Sequence, residues 1–191
     1  MSDDASFAQL VSLACHDVRT PLATVHGFVK TLERTVELDP PADRYVEMIG
    51  AASAEMAELL DTLSTAARIE SGRYDPALRS VDTLELAQHA QERLEGVAVT
   101  GKGTTIETDV ESVDRAVTSL ARCAIRHGGL DEVAVQVDGA VVRVSPITPA
   151  SAPVVLGHDL RDLRAAVAVR VVEALGGSVA VDGETLTVAL A

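Results

Sequence analysis

The sequence predicts an α+β protein: an N-terminal antiparallel helical hairpin that pairs with a second copy into a dimeric four-helix bundle, followed by an α/β sandwich. Three observations carry this expectation. Phe7, Val11, Ala14, Val18, Leu22, Val25, Val29, Leu32 and Val36 recur every three or four residues, as one continuous helix face does. Beyond a break at Asp39-Pro40-Pro41, Tyr45, Met48, Ala52, Met56, Leu59, Leu63 and Ala66 keep a similar period. In the second half, short valine-rich runs flank Asp138-Gly139 and Asp182-Gly183, both strong hairpin signals.

The elements follow in order. A first helix is expected over 4–38 and a second over 42–71, with Gly72 as its C-cap. Neither helix face is wide enough for a core, so two hairpins from two copies form the economical bundle. Residues 1–74 are thus the dimerisation hairpin and 75–191 the α/β domain. Tyr74-Asp-Pro-Ala reads as a linker. A helix over Val81–Leu94 takes Asp82 or Thr83 as its cap. Short Val/Thr segments occupy 96–107, and a helix runs from Val110 to about His127. Strands Val133–Val137 and Val141–Val144 precede a Pro-rich loop, Ser145–Pro153. A helix over 159–175 closes at Gly176-Gly177, ahead of strands Ser178–Val181 and Thr185–Leu190. Helices on one face of a mixed or antiparallel sheet make the sandwich.

Composition narrows the function. Of 191 residues 47% are hydrophobic, yet the aromatics are only Phe7, Phe28, Tyr45 and Tyr74, so the core is Ala, Val and Leu. Base stacking lacks platforms. A net charge of −13 opposes phosphate-backbone binding, so nucleic acid is not an expected partner. Cys15 and Cys123 lie in apolar helical runs and form no disulfide framework, which fits a reducing cytoplasm. No apolar run approaches the roughly 18 residues of a membrane span, and the acidic Met-Ser-Asp-Asp start is no signal peptide. The expectation is a cytoplasmic protein with no membrane contact and no anchor of its own.

His16 stands off the first helix's rhythm. It is two residues from Ala14 and from Val18, so it is turned roughly 200° from each and faces solvent. Asp17 sits beside it, Thr20 one turn on, and Pro21 inside the helix at a usual cost of about 3 kcal/mol. Asp17 is placed to accept a bond from Nδ1–H of His16, leaving Nε2 as the nucleophile. Arg19 can pair with a phosphate or with acids such as Glu55 or Glu58. His26 is too far along the helix from His16 for a zinc pair, and His89, His127 and His158 read as surface residues without ligand-spaced partners. Arg126-His127 suits a helix C-terminus for dipole reasons alone.

The run Leu13-Ala-Cys-His16-Asp17-Val-Arg19-Thr20-Pro21-Leu22 resembles the H box of bacterial sensor histidine kinases, and Ala67-Arg-Ile-Glu-Ser-Gly72 resembles that family's hairpin end. The second half resembles the kinase ATP-binding domain in layout, with Arg170-Val-Val-Glu-Ala-Leu-Gly-Gly177 similar to the passage after its last glycine box. Three elements depart. Cys123 stands where the resemblance places a magnesium-binding asparagine, and a thiol is a poor ligand for hard Mg2+. Ser145–Pro153 replaces the adenine-binding Asp-x-Gly-x-Gly. Asp162-Leu163-Arg164 replaces the second glycine box, where an acid would repel phosphate.

An intact histidine element beside a degenerate ATPase-type domain resembles the dimeric histidine phosphotransferases. The resemblance implies a phosphorelay protein that passes phosphoryl groups between receiver-domain aspartates through His16, without autophosphorylation from ATP. It implies Asp17 as the orienting acid, and Thr20 and Arg19 as further site residues, with Thr20 a contact for the phosphoryl group or for a phosphatase water. Partners are response-regulator receivers and a second copy of the chain. Leu13, Leu22, Ala23, Phe28, Leu59 and Leu60 are the docking candidates. No cofactor and no metal are expected on this chain, the Mg2+ being the receiver's own. The alternatives are a divergent kinase core that still binds ATP and a non-catalytic pseudokinase that binds response regulators.

Overall fold

The computed structural model describes residues 3–35 and 37–191. The chain divides into two compact units, one ending at Arg73 and one spanning Tyr74–Ala191. The first holds helices α1 (Asp3–Thr35) and α2 (Pro40–Glu70). Glu37, Leu38 and Asp39 lie outside any helix, so the expected extension to 38 does not occur, and Val36 falls outside the described residues. The second helix begins earlier than expected because Pro40 occupies its first turn. There a missing N–H costs nothing and a fixed φ favours the helix. At the other end Gly72, at φ 66, lets Arg73 N–H reach the Arg68 carbonyl at 2.8 Å and Gly72 N–H the Ile69 carbonyl at 3.0 Å.

The hairpin's internal seam takes up only part of the predicted face, through Leu22 and Val29. Ala8, Cys15, Leu22 and Val29 are buried at heptad spacing on α1. Across from them, Val46, Gly50, Ser53 and Ala67 are buried on α2. Val18 and Val25, read on the same face as Leu22 and Val29, are exposed within this hairpin. Gly50 lies close against α1: a Cβ added there would meet Val29 Cγ1 at 3.0 Å. A second apolar stripe faces outward, including Phe7, Val18 and Phe28 on α1 and Tyr45, Met48 and Met56 on α2.

The second unit contains β1 (Leu78–Asp82), α3 (Thr83–Arg93), β2 (Val97–Gly103), β3 (Thr105–Asp109), α4 (Val110–Gly128), β4 (Val133–Gly139), β5 (Val141–Ser145), α5 (Ala152–Val155), α6 (Leu163–Ala174), β6 (Ser178–Asp182) and β7 (Thr185–Ala189). The main sheet is mixed, in the order β2-β4-β5-β7-β6, with β2 parallel to β4 and the other pairs antiparallel. Val133, Val135 and Val137 alternate inward on β4, joined by Val142 and Val144 of β5 and Leu186 and Val188 of β7. The helices supply the other side of this core through Leu86, Val113, Val117 and Leu120.

Five local expectations shift. Val81 and Asp82 belong to β1, which pairs with β3, so the helix expected from Val81 starts at Thr83. The 96–107 segments are two full strands. The Pro-rich stretch contains the single turn α5. The last helix begins at Leu163 and not at 159, because Asp162 caps it and accepts from Ala165 N–H at 3.0 Å. In the two hairpins the central residues are Gly139-Ala140 and Gly183-Glu184, set by the pairs Asp138↔Val141 and Asp182↔Thr185. Gly139 at φ 60 and Gly183 at φ 55 supply the left-handed first position these turns require.

His89 is not a bare surface residue. Its Nδ1 lies 3.3 Å from Asp114 Oδ1, and Arg93 Nη1 donates to Asp114 Oδ2 at 2.5 Å, so a buried carboxylate joins α3 to α4. Asp109 caps α4 by accepting from Ser112 N–H at 3.1 Å and also takes the Tyr74 hydroxyl at 3.1 Å. Asp109→Ala is therefore expected to cost about 1 kcal/mol or more, read as a lower urea midpoint for the α/β unit.

Candidate functional site

His16 lies on the outer surface of α1, and its side chain is 75% exposed. Its Nδ1 is 3.2 Å from Asp17 Oδ1. With Nδ1–H donating to that carboxylate, Nε2 keeps its lone pair and faces solvent. Pro21 sits inside the helix and carries no N–H, so the Asp17 carbonyl lacks the helical bond it would otherwise receive. Thr20 is exposed one turn below His16, and its carbonyl accepts from the Thr24 hydroxyl at 3.2 Å. These groups form an open polar surface around the His16 ring.

Arg19 points the other way. Its Nη2 donates to Asp61 Oδ1 at 2.6 Å, a cross-helix pair with an acid the sequence reading did not name. Both side chains are more than 40% exposed, 42% and 46%, so the pair aligns the helices and adds little stability. Cys15 is buried beside this pair, and burial pushes its thiol up from the ordinary value. His26 is a cross-helix link: its Nδ1 lies 3.0 Å from the hydroxyl of buried Ser53, which donates to the Gly50 carbonyl.

The docking candidates separate. Leu13, Ala23 and Phe28 are exposed, and Leu59 and Leu60 are half-buried. Leu22 is 9% exposed in the hairpin seam, so within this hairpin it has no free face to offer a partner. Its heptad spacing from Cys15 and Val29 was the signal that placed it inside.

In the α/β unit the positions singled out by sequence differ in access: Pro146, Pro149, Ala150 and Leu163 are exposed, and Asp162 is half-buried. Cys123 is fully buried on α4. Burial, followed by the Asp162 charge, pushes its thiol up to about 12, against smaller opposing effects of Arg126 and Arg161. Asp162 spends one carboxylate oxygen on the first turn of α6, occupying an N-terminal N–H that an anion would otherwise use. Its other oxygen lies 3.3 Å from His127 Nε2. His127, expected at the surface without partners, is largely enclosed, and it stands one helical turn from Cys123. The Cys-x-x-x-His spacing was the overlooked signal. Asp162, distant in sequence, had none.

Residues 8–72 match the family described as His Kinase A (phospho-acceptor) domain. The chain is histidine-kinase-like. Sensor protein DivL of Caulobacter vibrioides is 28% identical over 96 residues, which are 50% of this chain and 12% of DivL. The chain thus spans only a small part of that relative's length. Full-length ShkA, crystallised in complex with AMPPNP, superposes with a TM-score of 0.68 at 20% identity, covering 96% of this chain and 46% of ShkA. The Acinetobacter baumannii histidine kinase AdeS gives 0.56 at 16% identity, covering 92% of this chain and 97% of that one. At such identities the likeness establishes the fold: a kinase-type helical hairpin followed by an α/β domain with a mixed sheet. Among the described residues no helix is long and apolar enough to cross a membrane.

Proposed function

We propose that this histidine-kinase-like chain is a histidine phosphotransferase of a two-component phosphorelay, carrying phosphoryl groups between receiver aspartates through His16 and not charging itself from ATP. The observation that carries this reading is a contrast between the units. One presents an exposed, Asp17-partnered imidazole. The other seals Cys123 and caps α6 with Asp162, at the places where the kinase resemblance calls for nucleotide-binding groups.

In the transfer step, His16 Nε2 attacks the phosphorus of a receiver's aspartyl phosphate. The N–P bond forms, the acyl P–O bond breaks, and the aspartate leaves as a carboxylate. Positive charge developing on the ring is held by the Asp17 carboxylate at Nδ1. The reverse step loads a second receiver. The receiver brings the divalent ion that polarises its acyl phosphate, so this chain's share is positioning.

Incubation with labelled ATP and, separately, with labelled phospho-receivers tests the reading. Label is expected on His16 from receivers only. Label arriving from ATP would establish the divergent-kinase alternative instead. Receiver binding with no transfer in either direction would leave a pseudokinase.

The outward stripe of Phe7, Val18, Tyr45, Met48 and Met56 fits a second copy of the hairpin, completing a four-helix bundle as the matched phospho-acceptor family typically does. Met48→Glu combined with Met56→Glu is expected to convert a dimer to a monomer, read by light scattering on a sizing column. A dimer that survives both charges would mean that the copies meet elsewhere.

A further inference from the structure

We propose that Cys123, His127 and Asp162 form a zinc site that ties α4 to α6. Among the described residues they are the one group of three or more Cys, His, Asp or Glu whose ligand atoms converge, all within 4.8 Å of one another. Cys123 and His127 are four residues apart on α4, so both side chains leave the same face of that helix. Asp162 reaches them from the start of α6, and its orientation is already set, because Oδ1 is held by Ala165 N–H while Oδ2 faces His127 Nε2. The site is sheltered, with Cys123 fully buried and the other two side chains 16% and 13% exposed.

The donor set selects the metal. A thiolate, an imidazole and a carboxylate suit Zn2+ and disfavour Mg2+ or Ca2+, which want oxygen. Zinc bonds of about 2.0–2.3 Å place neighbouring tetrahedral ligands roughly 3.5 Å apart, so the three atoms need close by only about 1 Å. Binding releases the thiol proton to solvent. Thiolate and carboxylate together neutralise the +2 ion, so nearby Arg126 and Arg161 meet no net like charge. Three protein ligands leave the fourth position for water. The competing account is a plain His127–Asp162 ion pair over a buried thiol.

The full chain, stripped with a chelator, is titrated with Zn2+ by calorimetry and with Co2+ by absorption. One equivalent per chain is expected, with a thiolate-to-cobalt charge-transfer band and the strong visible bands of tetrahedral cobalt. Cys123→Ser should remove the charge-transfer band, and Cys15→Ser should leave it. His127→Gln and Asp162→Asn should each weaken binding by more than about tenfold. Asparagine retains the helix cap, and melting of each metal-free variant, followed by circular dichroism, establishes that it folds. No uptake, a band that survives Cys123→Ser, or binding indifferent to both other substitutions would overturn the site. Phosphoryl transfer is not read in this experiment, so its outcome is separate from that of the phosphorelay reading.

Discussion

His16→Gln is expected to abolish phosphoryl acceptance from any receiver, with no loss of folding. The side chain is 75% exposed and outside the hairpin seam, so its removal leaves no cavity and no unsatisfied partner in the core. Glutamine has no nucleophilic nitrogen, since its amide lone pair is delocalised. The loss should therefore be complete and not graded. Asp17→Asn tests the orienting role separately. An asparagine still reaches Nδ1, but it cannot hold the positive charge that develops on the ring, and it can favour the wrong tautomer by donating. A rate reduction of about 100-fold or more is expected, with receiver affinity unchanged. Rapid-quench transfer at saturating receiver separates rate from affinity. An Asp17→Asn chain as fast as the parent would remove Asp17 from the mechanism.

Leu120→Ala is expected to be the most damaging simple truncation in the α/β unit. Leu120 is fully buried on α4 and is among the largest enclosed side chains there. The flanking Val117, Ala121 and Ala124 are also buried, so the helix cannot roll to fill the space. Lost transfer energy plus the cavity should cost about 2–5 kcal/mol, a large part of the stability of a domain this size. Urea denaturation followed by circular dichroism reads it as a lower midpoint at similar slope. A change below about 1 kcal/mol would mean that the core collapses around the gap.

Much of the fold was legible because it rests on local periodicity. The Pro40-Pro41 break, the Gly72 cap, the inward alternation on β4 and both glycine hairpins are properties of a few neighbouring residues. His16's exposure was legible for the same reason, since its angle from Ala14 and Val18 follows from helix pitch. Periodicity left open which side of the first helix's apolar face turns inward: Leu22 and Val29 join Ala8 and Cys15 in the seam, while Phe7, Val18 and Val25 of the same face stay outside it. β1 was missed because Leu78, Arg79 and Ser80 are all exposed and carry no alternation.

The chain's own residue order thus settles the helical hairpin, the valine-rich sheet and an imidazole standing clear of its helix with an acid beside it. Those features depend on contacts a few residues long. Tertiary structure alone decides which of two apolar stripes turns inward, that Arg19 meets Asp61, that His89 and Arg93 converge on Asp114, and that Asp162 closes on Cys123 and His127. Each of these joins residues on separate elements, and a short side chain can bridge only what packing has first brought within a few ångströms.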